Sequence, residues 1–183
     1  MSNKMVVNLS RDVDAIAVPD GDRVTLPEGQ LVRILQEMGD SFTVMNPIGM
    51  RFRIEGAEAD ALGREPPAEP EAIAPEDMTE EGIKDAIVKE LKRIYDPEIP
   101  FNIYDLGLIY EVELDELGSG RYNAHVKMTL TAPGCGIGDV LVADVQKRTA
   151  KIPGVKEVDV ELVFDPPWDF SKMAPEVRAQ LNM

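Results

Sequence analysis

The sequence predicts an α+β chain: a small all-β module followed by a C-terminal part with helices on one face of a three-stranded sheet. Three observations lead there. Short runs alternate apolar and polar residues, which is the period of a half-buried strand. Other stretches, after residue 79, repeat apolar residues at helical spacing. Between the two parts, residues 64–77 read REPPAEPEAIAPED, rich in Pro, Glu and Ala, as an extended acidic linker does. The expected organisation is a β module over 1–63, a linker over 64–77 and a second domain over 78–183.

In the N-terminal part, GQLVRILQEMGDSFTVMNPIGMRFRIEG carries the strands. Val32, Ile34 and Gln36 alternate with Arg33 and Leu35, Phe42 and Val44 flank Thr43, and Phe52 and Ile54 alternate with Arg51 and Arg53. Gly39-Asp40, Asn46-Pro47 and Gly49 supply the turns. GAEADALG closes the module. It has no His, no Cys and only scattered acids, so an interaction or support module is the reading.

The C-terminal part reads α-β-β-α-β-α. Asp77 or Thr79 caps a helix whose first turn holds Glu80 and Glu81 and whose buried stripe is Ile83, Ile87, Leu91 and Ile94. Tyr95-Asp96-Pro97 stops it. A hairpin follows: Leu108, Tyr110, Val112 and Leu114 on one strand, Val126, Met128, Leu130 and Ala132 on the return strand, with LGSG as the turn. The second helix uses Ile137, Val140, Leu141 and Val145, and ends in Lys147, Arg148 and Lys151, the right sign for its dipole. The third strand turns Val158, Val160, Leu162 and Phe164 inward. DPPW ends it, and APEVRAQLNM forms a terminal helix with Pro175 in its first turn.

Composition narrows the function. The 183 residues, 44% of them hydrophobic, suffice for one ordinary domain or two small ones. Nineteen basic against 34 acidic residues give a formal net charge of -15, which repels nucleic acid and anionic membranes and favours cations and basic protein patches. The opening MSNKMVVNLSRDVDAI lacks a long apolar run and carries charges early, so no secretory signal is expected, and no segment has the roughly 20 apolar residues of a membrane helix. With one cysteine no intramolecular disulfide can form, and the cytoplasm is the expected compartment.

That cysteine, Cys135, stands in TAPGCGIGD at a helix mouth, where free N–H groups and the helix dipole favour a thiolate. Gly134, Gly136 and Gly138 leave it unshielded. Asp139 and the acidic surface oppose that effect, so activation is modest. A buried filler is the bland alternative, but Gly and Pro neighbours favour a functional thiol. The sole histidine, His125, lies on the wetter strand face and reads as an exposed strand residue, so no base stands beside the thiol. GCGIG is no phosphate loop, because no Lys-Ser or Lys-Thr follows it. One thiolate cannot close a zinc or cluster site alone. A site shared between two subunits, or one completed by carboxylates such as Asp96, Glu98 or Asp165, stays open; Asp96 and Asp165 are equally suited to turning the chain.

Three motifs, DPEIPFNIYDLGLIYEVEL (96–114), VKMTLTAPGCGIGDVLVADV (126–145) and PGVKEVDVELVFDPPW (153–168), resemble the PaaD-like family of iron–sulfur cluster assembly domains, in that family's order and spacing, across residues 79–183. The resemblance implies an α+β fold and a non-enzymatic accessory role in maturing iron–sulfur proteins. Its partners would be cluster-assembly proteins and apo-proteins. It would handle a transient iron–sulfur cluster or iron with none tightly bound, and a shared cluster would favour a homodimer. The family's motif cysteine, its candidate metal ligand, maps onto Cys135, its DPEIP loop onto Asp96 to Pro100, and the acid of its DLGLIY segment onto Asp105; Thr131 lies at the strand end beside the thiol. The resemblance suggests that Cys135, Asp96, Glu98, Asp105 and Thr131 line one cleft. This chain departs from the family pattern at Ile137, where Met is favoured, and at Asp139, often Pro. Ile137 keeps an apolar helix position, whereas Asp139 weakens thiolate activation and offers a carboxylate to a cation site. Two other classes compete: a thiol-based redox enzyme or sensor, and an interaction adaptor whose cysteine is incidental.

Overall fold

The computed structural model describes residues 5–68, 73–74, 78–134 and 136–182; part of the predicted linker and Cys135 lie outside them. The chain is α+β, as its sequence predicts, and packs as two compact units. Unit 1 draws on residues 1–68, 95–100 and 135–139, and unit 2 on 69–94, 101–134 and 140–183.

Unit 1 holds six strands: β1 (Val6–Asn8), β2 (Val13–Val18), β3 (Arg23–Leu26), β4 (Leu31–Met38), β5 (Ser41–Met45) and β6 (Arg51–Glu55). They form one antiparallel sheet in the order β1-β4-β5-β6-β2-β3. Alternation sends Val32, Ile34, Phe42, Val44, Phe52 and Ile54 into one core with Val13, Ala15, Ala17 and Leu26. A 3-10 turn, Gly56–Leu62, closes that core with Ala59, Ala61 and Leu62, each nearly inaccessible. The sequence reading found β4 to β6 but no strands before residue 29. The reason is visible in β2, VDAIAV: five of its six residues are buried, so the apolar run has no period to read.

Unit 2 contains α1 (Glu80–Leu91), β7 (Ile109–Gly118), β8 (Arg121–Met128), α2 (from Gly138, through Thr149), β9 (Val155–Leu162) and α3 (Pro175–Gln180). The Thr79 hydroxyl caps α1 by accepting from the Gly82 N–H at 3.2 Å. β7 and β8 pair antiparallel, and β9 joins β8 in parallel after the α2 crossover. Ile83, Ile87, Leu91, Ala124, Val126, Met128, Leu141 and Val145 are all buried in the core. Glu111, Glu113, Glu157, Asp159 and Glu161 are exposed along the same strands. Phe164, read from the sequence as inward, is 43% exposed, because β9 ends at Leu162 and Phe164 lies beyond its last paired residue.

After β9 the chain folds back over the segment Tyr104 to Tyr110. The Tyr110 hydroxyl donates to the Pro166 carbonyl at 2.8 Å, and the Trp168 indole N–H donates to the Leu106 carbonyl at 2.8 Å. The Ala174 N–H reaches the Asp105 carbonyl at 2.8 Å. At Gly107, with φ +72°, the backbone of Lys172 comes so close that no side chain fits. The stiff DPPW sequence is thus the start of a strap that clamps the DLGLIY motif.

Candidate functional site

The segment Asp96–Pro100 belongs to unit 1. Asp96 builds it: one carboxylate oxygen accepts from the N–H groups of Glu98 at 2.8 Å and Ile99 at 2.9 Å. This is the turn chemistry of an Asp before Pro, whose side chain replaces backbone partners two and three residues on. Asp96 is only 5% exposed. Burial pushes its carboxyl above the ordinary value, while the two N–H groups and the charge of Arg53 pull it down; burial is the largest of these effects. The Gln36 side-chain amide donates to the Asp96 carbonyl at 3.4 Å, and Glu98 stands 3.6 Å from Arg51.

The other motif segment in unit 1 is the start of α2. Ile137 is 1% exposed, while Asp139 is open to solvent. Gly136 is packed so tightly that a Cβ there would run into the Asp20 carbonyl, and one on Gly21 would run into the Gly136 carbonyl. A glycine is therefore required at 136 for close approach. Cys135 itself lies outside the described residues.

Asp105 and Thr131 belong to unit 2. Asp105 is held on three sides. It accepts from the Asn102 amide at 2.7 Å, its own N–H donates to the Asn102 side chain at 2.8 Å, and the Lys92 ammonium stands 3.4 Å away. Lys92 also lies over the Tyr104 ring at 5.3 Å. Thr131 is half-buried. Thus Asp96 and Glu98 are joined through one turn, and Asp105 sits in a separate Asn102–Lys92 cluster. Asn102 and Lys92 escaped the sequence reading. Asn102 had a signal, since an Asn three residues before an acid commonly closes such a turn.

His125 bonds Asp115 at 3.0 Å and lies 3.7 Å from Asp159, on the polar face of the sheet. Its two ring nitrogens face carboxylates of neighbouring strands. Among the described residues no group of three or more His, Cys, Asp or Glu is arranged to hold a metal ion, and no helix is long and apolar enough to cross a membrane.

These motif segments coincide with a known family. The model of a family described as iron–sulfur cluster assembly protein matches residues 84–161. A Porphyromonas gingivalis protein named Fe-S protein maturation auxiliary factor is 43% identical over 96 residues, 52% of this chain and 88% of its own. The chain belongs to the iron–sulfur cluster assembly protein family. Two further members are similar to it: the Fe-S protein maturation auxiliary factor YitW of Bacillus subtilis, 38% identical over 57% of this chain and 98% of its own, and SufT of Staphylococcus aureus, 33% identical over 49% and 98%. A crystal structure of a domain of unknown function from Bacillus anthracis, 33% identical, superposes with a TM-score of 0.51 over 56% of this chain and 94% of its own. The match uses 88% to 98% of the length of each of these relatives.

Proposed function

We propose that this protein is an accessory factor in the maturation of iron–sulfur proteins, assisting cluster assembly or delivery to apo-proteins in the cytoplasm. The observation that carries this reading is similarity along nearly the whole length of three relatives, each named an Fe-S protein maturation auxiliary factor. Cargo, on this reading, is a cluster or iron met transiently through Cys135, and the resemblance assigns Asp96, Glu98, Asp105 and Thr131 to the same function. A single thiolate falls short of the four ligands a cluster usually takes, so the remaining ligands come from a partner protein or a second copy of this chain. That deficit suits transfer: a cargo held by one thiolate leaves more easily than one in a closed cage. The backbone N–H groups bound by Asp96, and the strap that clamps Asp105, support a role in holding loop shape rather than in acid–base chemistry.

The test is Cys135→Ser in a strain lacking the protein. The variant is expected to leave cluster enzymes as immature as the empty strain does. Full restoration of their activity by Cys135→Ser would remove the thiol from the function and leave an adaptor that docks assembly components.

A further inference from the structure

Exposed apolar side chains in unit 1 are gathered in one region. Among the described residues ten large apolar side chains are exposed, and seven of them lie in unit 1, on or beside β1, on β4, or in the β5–β6 turn. Single exposed apolar residues are ordinary, whereas a contiguous group marks a binding surface. Ladder register sets Val6, Arg33, Met45 and Arg51 in one row across β1, β4, β5 and β6. Strand alternation turns this row away from the core side chains Val32, Ile34 and Val44. Leu31 and Leu35, 46% and 41% exposed, stand on either side of Arg33 along β4. A groove of about 290 Å³ runs past Val6, Leu31, Arg33, Met45 and Pro47. Arg33 is thus an exposed cation with apolar neighbours along its strand and across it. It forms no ion pair among the described residues: Glu37, the acid of β4, is held by Arg64 at 2.8 Å, and Glu98 faces Arg51.

In a chain of net charge -15, an arginine without a carboxylate amid Leu, Val and Met is complementary to an acid from elsewhere. Arg and Met are also the residues enriched at interface centres, where Lys, Glu and Asp are depleted. Methionine adapts its shape, which suits segments of differing sequence. We propose that the outer face of β1, β4 and β5 is a docking surface for a partner-protein segment that presents a carboxylate to Arg33 and apolar side chains to Leu31, Leu35 and Met45. A second copy of this chain fits poorly. A two-fold contact sets a patch against itself, which would bring Arg33 against Arg33 and join two strongly acidic molecules. The row ends at Arg51, 3.6 Å from Glu98, so a segment bound along it lies beside the loop Asp96–Pro100. The surface holds whatever cargo the protein handles. It gives residues 1–63 a task that their want of His and Cys left open.

Amide chemical shifts of the full chain, followed by NMR during a titration, test it. The probe is a capped peptide that alternates Ser with Leu and carries one central Asp; its counterpart carries Lys there. The Asp peptide is expected to shift the Val6, Leu31, Leu35 and Met45 amides and to leave Val126 in unit 2 unmoved. It is expected to bind about tenfold more tightly than the Lys peptide. Arg33→Glu is expected to reverse that preference and Arg33→Gln to abolish it. If Arg33→Glu does not fold, Arg33→Gln decides alone. Absence of shifts at the four amides with millimolar Asp peptide overturns the proposal. So does equal affinity for the two peptides, or a preference that survives in either variant. Shifts at the same amides that depend on protein concentration, with no peptide present, also overturn it, since a second copy would then cover the face.

Discussion

Charged side chains do most of the specific work inside both units, and each can be judged by where it is buried. Glu90 on α1 is 5% exposed and sits between two guanidiniums, Arg93 at 3.0 Å and Arg148 at 3.3 Å. It ties α1 to the last turn of α2. Glu90→Gln keeps the shape and removes the charge that both arginines face. Breaking a buried ion pair from one side costs about 3 kcal/mol, and that loss is expected here in urea unfolding; an unchanged midpoint would make the cluster incidental. Sequence reading assigned Arg148 only to the helix dipole, because pairing across 58 residues leaves no local mark. Asp96 had the opposite fate. Its position before a proline announced a turn, and the two N–H groups it accepts are what that turn requires. What no local pattern announces is its burial, since that depends on strands more than forty residues upstream.

At the scale of elements, legibility followed periodicity. α1, β7, β8 and β9 each present one wet face, so their apolar positions could be read directly. β2 could not be read because its second face is covered too, and β1, with three residues, is too short to show a period. The 3-10 turn after β6 is secured to the loop between β1 and β2 by Arg11, which bonds Asp60 at 2.6 and 2.8 Å and Glu58 at 2.6 Å. Hydrogen bonds from Arg11 hold the Asp60 carboxyl below its ordinary value. The sign follows from linkage. A lowered folded value means that the unfolded chain takes up the proton more readily, so the pairing stabilises above the ordinary carboxyl range and is lost as pH falls through the lowered folded value. The ions are exposed, so the effect is modest and screened by salt. Stability measured by urea between neutral and strongly acid pH is expected to fall less steeply in Arg11→Met than in the unaltered chain. Parallel acid limbs for the two proteins would show that the pairing contributes nothing.

For the whole molecule, the sequence marked a change of composition at 64–77, and the contacts sort residues differently: Tyr95–Pro100 and residues 136–139 pack with the N-terminal strands. A boundary read from composition follows the chain, whereas packing follows space, so two short motif segments could not be assigned from sequence. The family model falls at residues 84–161, and the relatives match over 88% to 98% of their own lengths, which argues that the C-terminal part carries its own folding information. Its buried set Ile83, Ile87, Leu91, Ala124, Val126, Met128, Leu141 and Val145 lies wholly within unit 2. A chain of residues 78–183 is therefore expected to unfold cooperatively, with Val126 amide exchange within about tenfold of the full protein, about 1.4 kcal/mol. Glu98 and Ile99 are expected to lose much more of their protection, because Arg51, which stands by Glu98, and Gln36, which donates to the Asp96 carbonyl, are gone. The two measurements separate folding from loop order. Loss of cooperative unfolding would mean that the N-terminal strands are needed for the fold itself, and retained protection at Glu98 and Ile99 would mean that the loop orders itself without them.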